Sequence, residues 1–450
     1  MRRIIQATLA IICLLPAGLR AQVEVSQEAK VLSLQDAMDY AVKHNDSAKN
    51  ARLSVLVQKA QNAEVTGLAL PNVSSTGQYL DYFNPLKSFI PGEFFGAPGT
   101  FIPVQFTPKY NVQASATASQ ILFDGSVMVA LQAKKAILEL SRQSARLTEE
   151  NLRYNVQKAY YAIVIARKNF ELIKQSMIAS RQANYEVFEN YKAGLIEKLE
   201  SDRSQVQLNN LATDSMRVAN MIELSEKVFK LNIGMDMDQP IVLTDTVFEQ
   251  NLSEAGSLLN EMEDYNNRTE YNLVQSQLNL NQYNLKRHRL SGLPSLAAFA
   301  SMGYNSSGNK FQDITYGNNY LFSSYYGLRI NWPIFDGAQR YNRVRQAKIA
   351  VEKSYNNLDL IKKSIDFQVD QSRTNYKNNL LMLESQRRNL DLANNVFTLA
   401  QNKYKAGVGS NLEVTTAQNQ LLYAQTNYFN SMLDVVNAKT DLQKALGQFR

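Results

Sequence analysis

Proline is absent from two long tracts of this 450-residue chain. The ten prolines stop at Pro108, resume at Pro240, and stop again at Pro333. Glycine is almost absent from the same tracts. Because proline removes a backbone donor and clashes with the preceding turn, tracts without it permit helices far longer than the usual length of about 11–12 residues. An ordinary compact enzyme fold is therefore disfavoured.

The two tracts belong to an internal repeat. The Phe-Asp-Gly motif at 123–125 returns at 335–337, 212 positions later. The Tyr-Lys-Ala-Gly motif at 191–194 returns at 404–407, 213 positions later, and Leu70-Pro71 returns as Leu293-Pro294. Landmarks in the same order at a nearly constant offset predict two halves with the same structure.

The N-terminus reads as a secretory signal over residues 1–21, with Arg2 and Arg3, an apolar core and a small-residue stop at Ala21. The single cysteine, Cys13, lies inside this segment, so thiol chemistry and Cys-based metal sites are excluded from the mature chain. Without the three signal arginines the net charge falls from +7 to about +4. The basic residues are dispersed and form no stripe, so nucleic acid is not an expected partner.

We predict a first repeat over 22–234, an acidic equatorial segment over 235–260 that joins the repeats, and a second repeat over 261–450. Each repeat reads as a helix, two strands, a very long helix and a shorter return helix. The predicted helices are Ser33–Thr66, 126–193 and 196–233, then Glu261–Leu290, 338–406 and 411–446. The predicted strands are 71–82 and 109–122, then 294–304 and 324–334. A helix of about 68 residues is near 100 Å long at about 1.5 Å per residue, so the molecule must be elongated.

The long helices carry coiled-coil spacing. Apolar residues alternate steps of four and three from Leu152 to Met177, and residues from Val414 to Leu442 recur every seven positions. Such stripes are core packing between neighbouring helices and not a cofactor site.

The extended stretches alternate apolar and polar residues with a period of two. From Tyr110 to Ala118 the even positions are apolar and the odd positions are polar. Near the end of the second repeat's strands, Tyr326, Leu328, Ile330 and Trp332 alternate with Tyr325, Gly327, Arg329 and Asn331. The pattern alone also fits a soluble sheet half-buried on a core. The predicted signal, the cysteine-free mature chain and the terminal Tyr and Trp favour transmembrane strands, whose lipid-facing residues include Tyr110, Val112, Tyr326, Leu328, Ile330 and Trp332.

Four strands cannot close a barrel, and hydrocarbon does not tolerate unpaired strand edges. The barrel must therefore be shared between subunits. Three copies would supply 12 strands, enough for an aqueous lumen, although only the need to oligomerise follows from the sequence.

These motifs together resemble the TolC outer-membrane efflux family. The resemblance rests on the strand pairs followed by Phe-Asp-Gly, the Tyr-x-x-Gly breaks, and the stretch from Tyr404 to Gln418, and it covers about residues 30–447. It implies an α+β membrane protein built from a duplicated unit. The long helical hairpins form a periplasmic α-barrel, and each chain gives four strands to a trimeric transmembrane β-barrel.

In function, the resemblance implies a passive homotrimeric exit duct in the outer membrane of a Gram-negative cell. The duct serves a tripartite efflux pump or a type I secretion system. The implied partners are a periplasmic adaptor (membrane fusion) protein, an inner-membrane efflux or ABC transporter, and outer-membrane lipid. No cofactor or metal is expected, and no enzyme activity.

The resemblance also assigns site residues. Gly194, Leu195, Gly407 and Val408 become periplasmic tips where adaptors dock, although the glycines could serve only to turn the chain. Carried over by position, the aperture acids fall on Glu413 and Glu200, and the tyrosine partner of Glu200 is Tyr404. The family's locking arginine falls on Gly409 and its second aperture acid on Thr416. We therefore expect a weaker closed state.

Other motifs do not support a different chemistry. Gly407-Val408-Gly409 lacks the preceding strand and following lysine of a phosphate loop, and His44 and His288 have no metal-binding context. The acids Glu197, Glu200 and Asp202 are favourable charges at a helix N-terminus.

Three classes remain open: an export duct, a structural or adhesive coiled-coil protein, and a periplasmic adaptor. The aromatic loop 82–107 could cap the barrel mouth or bind a ligand.

Overall fold

The structure is a computed structural model that describes residues 29–244, 255–316 and 320–449. The predicted signal segment 1–21 and part of the acidic boundary segment lie outside the described residues. The helices are α1 Leu34–His44, α2 Asp46–Gly67, α3 Gly125–Lys192, α4 Lys198–Ile233, α5 Ala255–Leu259, α6 Thr269–Leu290, α7 Phe311–Thr315, α8 Gln339–Lys405 and α9 Asn411–Ala445. The strands are β1 Lys30–Leu32, β2 Asn72–Asp81, β3 Lys87–Pro91, β4 Phe101–Gln105, β5 Tyr110–Phe123, β6 Ile241–Leu243, β7 Ser295–Gly308 and β8 Tyr320–Asn331.

Two helical hairpins dominate the molecule. Helix α3 has 68 residues and packs on α4, and α8 has 67 residues and packs on α9. Asp124 starts α3 by accepting hydrogen bonds from the backbone amides of Ser126 and Val127. The predicted seam residues from Leu152 to Met177 are buried or half-buried, which agrees with a packing role.

The sequence predicts one helix over Ser33–Thr66, but the structure has two. Asn45 separates α1 from α2 with an extended backbone. Its Oδ1 accepts hydrogen bonds from the amides of Ser47 and Ala48, and its Nδ2 donates to the carbonyl of Asn232 at 2.8 Å. The cap of the second helix and the contact with α4 together bend the chain at this point.

The predicted helix Glu261–Leu290 begins later, at Thr269. Asp264 accepts a hydrogen bond from the amide of Asn266 and closes a short 3-10 turn over Tyr265–Asn267, so the helical hydrogen-bond ladder starts only beyond this turn. The return helix predicted over 196–233 likewise begins at Lys198.

Four long strands form one antiparallel sheet in the order β2-β5-β7-β8. The strand predicted over 324–334 is displaced to Tyr320–Asn331. It ends two residues before Pro333, which has no N–H to donate to a neighbouring strand. The strand predicted over 294–304 extends to Gly308 because residues 305–308 continue the pairing with β5.

The aromatic stretch 82–107 is not an irregular loop. It contains the hairpin β3–β4, in which Phe89 pairs with Pro103 and Ile90 pairs with Ile102. Seven of its large side chains are exposed: Phe83, Leu86, Phe89, Phe94, Phe95, Phe101 and Phe106.

Two hydrophobic cores hold the helices together. One surrounds Tyr160 and Phe229 and includes residues of β1 and β6, two short strands that pair in parallel. The other surrounds Ile365, Tyr376 and Leu442. In the described part of the chain, neither core includes a buried residue between Leu383 and Phe429. The two long helices therefore pack most tightly far from their turns.

Buried charges connect α3, α6 and α9 near the second core. Arg268 donates to the carbonyl of Ala445 at 2.7 Å and to Gln368 at 3.0 Å. Glu150 accepts from the Thr269 hydroxyl at 2.6 Å, and burial raises the pKa of its carboxyl. Burial also lowers the pKa of the nearby Lys444 amine. The bond from Thr269 to Glu150 ties the second repeat to the long helix of the first, and the bonds of Arg268 join segments within the second repeat.

Candidate functional site

The two helical turns have the same backbone geometry. Gly194 and Gly407 adopt φ values of +75° and +74°, a region that glycine enters without steric strain. Leu195 N–H donates to the Asn190 carbonyl at 2.9 Å, and Val408 N–H donates to the Lys403 carbonyl at 3.1 Å. Gly194 N–H donates to the Tyr191 carbonyl and Gly407 N–H donates to the Tyr404 carbonyl. Each turn is therefore a Schellman motif, which satisfies the last helical carbonyls.

An exposed apolar residue follows each glycine. Leu195 is 74% exposed and Val408 is 78% exposed. Neither has a core to join, since both hydrophobic cores lie farther along the helices. The turns therefore present matching apolar tips at the end of each hairpin.

Glu200 connects the two hairpins within one chain. Its Oε1 lies 3.2 Å from Nη1 of Arg203, and its Oε2 accepts a hydrogen bond from Nδ2 of Asn411 at 3.1 Å. Arg203 belongs to the same helix, whereas Asn411 opens α9. Nearby, Gln207 donates to Oδ1 of Asn419, so α4 and α9 are joined twice near their tips.

No hydrogen bond joins Glu200 to its expected partner, Tyr404, within the described part of this chain. Among the described residues, Glu200 bonds only to Arg203 and Asn411 through its side chain. Tyr404 is half-buried in the last turn of α8, where its carbonyl accepts from Gly407 N–H at 3.0 Å. The sequence reasoning missed both actual partners. Arg203 could have been found, because it lies one helical turn after Glu200, but nothing local identifies Asn411.

Glu413 and Thr416 lie on the first turns of α9. Ser410 caps this helix by accepting a hydrogen bond from the Glu413 amide at 3.3 Å. Both side chains line a groove of about 410 Å³ between α8 and α9, with Val396, Leu399, Ala400, Lys403, Leu412, Ala417 and Gln420. Within the described ranges no cation lies at ion-pair distance from Glu413, and Lys403 is the cation that shares its groove.

The sheet has two different faces. Because paired residues lie on the same face, the register places Tyr110, Val112, Tyr326, Leu328 and Ile330 together, with Tyr79 and Met302. Tyr326 is 89% exposed and Ile330 is 70% exposed. Trp332 follows the end of β8 and is also exposed. The predicted lipid-facing residues therefore lie on one largely apolar face, on which Tyr110 and Val112 are half-buried and the residues of β8 are exposed, with Trp332 at its border.

The opposite face is mostly polar and hydrogen-bonded across strands, although Phe299, Leu321 and Tyr325 also lie on it. The hydroxyl oxygens of Thr76 and Ser115 are 2.9 Å apart, and those of Thr117 and Ser301 are 3.1 Å apart. Gln113 and Asn305 pair on the same face. This surface is suited to water, as the alternating sequence predicts.

Among residues 29–244, 255–316 and 320–449, no helix has a stretch long and apolar enough to span a membrane. The same residues contain no group of three or more His, Cys, Asp or Glu side chains arranged to hold a metal ion.

Comparisons with known proteins agree with this geometry. Residues 268–448 match the family described as "Outer membrane efflux protein". The chain is 21% identical to the outer membrane protein TolC of Vibrio cholerae over 359 residues, 76% of this chain and 81% of that one. It is 26% identical to the alkaline protease secretion protein AprF of Pseudomonas aeruginosa over 157 residues, 35% of this chain and 32% of that one.

The fold also matches solved structures. The crystal structure of the outer membrane protein VceC from Vibrio cholerae superposes with a TM-score of 0.69 at 14% identity. The match covers 92% of this chain and 96% of that one. The resemblance seen in the sequence is thereby confirmed, together with the α+β fold of long helices and a small sheet. Residues 268–448 therefore carry a domain of the outer membrane efflux protein family, and the chain is a TolC-like protein of the outer membrane that extends into the periplasm.

Proposed function

We propose that this protein is a homotrimeric channel-tunnel that forms the passive exit duct of a tripartite efflux pump or a type I secretion system. A periplasmic adaptor and an inner-membrane efflux or ABC transporter open it at its helical tips. The chain supplies the conduit and a gate, and its partners supply the energy and choose the cargo.

The two-faced sheet with free edges is the observation that carries this proposal. One face is apolar and exposed and the other is polar, which is the pattern of strands between lipid and water. Strands β2 and β8 each have one unpaired edge in the described chain. Because the sheet is a four-stranded antiparallel meander, β8 runs opposite to β2 and could pair with β2 of another copy. Three copies then close 12 strands and remove every edge.

The tips are the proposed gate. We assign Glu413, Glu200, Tyr404 and Thr416 to the periplasmic aperture, and Gly194, Leu195, Gly407 and Val408 to the surface on which an adaptor docks. Gly409 stands where the family has its locking arginine, so the closed state depends on weaker contacts. In one chain these are the hydrogen bonds from Asn411 to Glu200 and from Gln207 to Asn419.

The position of the cores supports opening at the tips. Regions with few buried apolar contacts open at the lowest free energy. Both described cores lie away from the turns, so the hairpin ends can separate while the packed parts of the helices remain in contact. A partner that binds the separated tips more tightly would shift the population toward the open state.

The first experiment asks whether the protein is an oligomeric pore. Purified protein is expected to run as a heat-modifiable trimer in mild detergent and to conduct ions in planar lipid bilayers. A soluble monomer without conductance would contradict the proposal and favour a structural or adhesive coiled-coil protein. In that alternative the exposed apolar face of the sheet, from Tyr110 to Ile330, would lack a function.

The second experiment asks whether the tips meet an adaptor. A photo-crosslinking residue at Leu195 or Val408 should form an adduct with a periplasmic adaptor in cells of the source organism. The same photo-crosslinking residue at Ile178, an exposed apolar position of α3 that lies away from the tip, is the matched control. Equal crosslinking from all three positions would contradict tip docking.

A further inference from the structure

Arg329 is the single charged residue on the polar face of the sheet. Only two charged residues occur in the strands β2, β5, β7 and β8, namely Asp81 and Arg329. Asp81 pairs with Tyr110 at the loop end of the apolar face. Arg329 pairs with Ala297 on the opposite face, near the end where the strands join the helices. The proposed lumen wall is otherwise neutral along the strands.

The neighbouring strand holds this arginine in place. The guanidinium carbon of Arg329 lies 5.1 Å from the ring centroid of Phe299, a cation–π geometry. Phe299 in turn pairs with Gly327, where an added Cβ would lie 3.2 Å from the ring. The ring of Tyr325 meets Phe299 edge-on at 6.2 Å. Gly327 thus leaves space for the ring that supports the arginine.

No carboxylate compensates this charge within the described chain. Arg329 is exposed and forms no ion pair there. Asp124 and Asp336, at the junction of strands and helices, accept hydrogen bonds from the backbone amides of Ser126 and Arg340. The positive charge on the polar face is therefore available to solutes.

We propose that Arg329 is a selectivity residue, and that three copies form a ring that attracts anions at the base of the barrel. This inference rests on the proposed trimeric channel. The ring lies in series with Glu413 at the tips, so the two ends of the conduit carry charges of opposite sign. Anionic solutes are favoured at the base of the barrel, and cationic solutes are favoured at the tips.

Cysteine substitution tests this arrangement, because the mature chain has no cysteine of its own. We would measure the reversal potential of Arg329→Cys channels in planar bilayers under a KCl gradient. The anion-to-cation permeability ratio should fall about twofold, since a charge acts weakly across a wide aqueous lumen. A cationic methanethiosulfonate reagent should restore the ratio, and an anionic one should lower it further.

Leu328→Cys and Ile330→Cys are matched controls on the apolar face. Neither should react with the charged reagents in the bilayer, and neither should change the permeability ratio. Arg329→Lys should keep the ratio and Arg329→Gln should lower it, which covers the case that the cysteine variant does not fold.

The outcomes separate this proposal from the channel itself. If Arg329→Cys reacts but the permeability ratio stays the same with both reagents, and Arg329→Gln is also unchanged, the selectivity proposal is overturned and the channel remains. If residues 328 and 330 react and 329 does not, the lumen lies on the other face and the selectivity proposal fails, whereas the channel remains. If the unmodified protein does not conduct, the proposed function fails first.

Discussion

The two helical tips of this chain have one backbone design and two different charge environments. Both turns are Schellman motifs with a glycine at nearly the same positive φ, and both place a glutamate six residues after that glycine. Glu200 contacts Arg203 and Asn411. Glu413, its counterpart, has Thr416 where Glu200 has Arg203, and forms no ion pair within the described chain, although Lys403 lines the same groove.

The helix caps differ in a complementary way. Ser410 caps α9 through its side chain, whereas Glu197 at the corresponding position makes no side-chain cap on α4. The two repeats therefore share the backbone geometry of the turn but differ in the charged residues around the glutamate. At one tip Glu200 is paired with Arg203 and joins the hairpins through Asn411. At the other tip Glu413 forms no ion pair and can act on solutes.

The largest expected effect comes from removing the free acid. Glu413→Gln should lower the cation-to-anion permeability ratio about tenfold, because in the proposed trimer three unpaired carboxylates would meet at the narrow tip. Glu200→Gln should change the ratio far less, since Arg203 already offsets that charge. Reversal potentials in planar bilayers measure both. Equal effects of the two variants would contradict the proposed difference between Glu200 and Glu413.

Exchanging the residue that lies three positions after each glutamate should exchange the effect of that glutamate on ion selectivity. Thr416→Arg places a cation one turn after Glu413, as Arg203 stands after Glu200, and should lower the same ratio between about three- and tenfold. Arg203→Thr should raise it by freeing Glu200. No change with Thr416→Arg would show that Glu413 does not face the conducting path.

Asn411 should matter for closure and not for selectivity. Asn411→Ala removes a hydrogen bond to a charged but half-exposed acceptor, worth about 1 kcal/mol, so the open probability should rise about fivefold. Asn411→Asp should open the channel further, because two carboxylates then repel each other. Single-channel recordings give the open probability, and an unchanged value in both variants would exclude this contact from the gate.

The turn glycines should be equivalent. Gly194→Ala and Gly407→Ala should each destabilise the local turn by about 1 kcal/mol, because alanine is strained at positive φ. Hydrogen exchange at Leu195 and Val408 reports this. Gly67→Ala at the end of α2 is the control, since its Cβ meets nothing and its φ is not positive. A clear difference between the two turns would contradict their equivalence.

The smallest effect concerns the caps. Ser410→Ala should destabilise the first turn of α9 by about 0.5–1 kcal/mol, because a side-chain hydrogen bond is lost. Glu197→Ala should leave α4 almost unchanged. Local hydrogen exchange near Glu413 and Glu200 distinguishes the two, and similar protection losses at both sites would argue against the different caps.

Local features of the sequence predict a large part of the fold. Proline-free tracts, the turns at Gly194 and Gly407, and the alternation from Tyr110 to Ala118 each reflect backbone chemistry within a few residues. The misses have non-local causes. The break at Asn45 depends on a contact with Asn232, and the length of β7 depends on its pairing with β5.

The site was less predictable than the fold. The positions of Glu200 and Glu413 follow from the repeat, but the side chains that surround each of them do not. Asn411 lies 211 residues from Glu200, so no local pattern could join them. The same holds for Arg329 and Phe299, which come from neighbouring strands with unrelated sequence neighbours.

By itself, the sequence determines the duplicated plan, the long helical hairpins, the two turns and the alternating strands, because each depends on residues close together in the chain. Only the tertiary structure decides how the strand faces align, which tip acid is neutralised and where Arg329 is held. Those outcomes depend on the register and packing of distant segments, and a side chain's electrostatic environment is set by whatever those segments bring within a few ångströms.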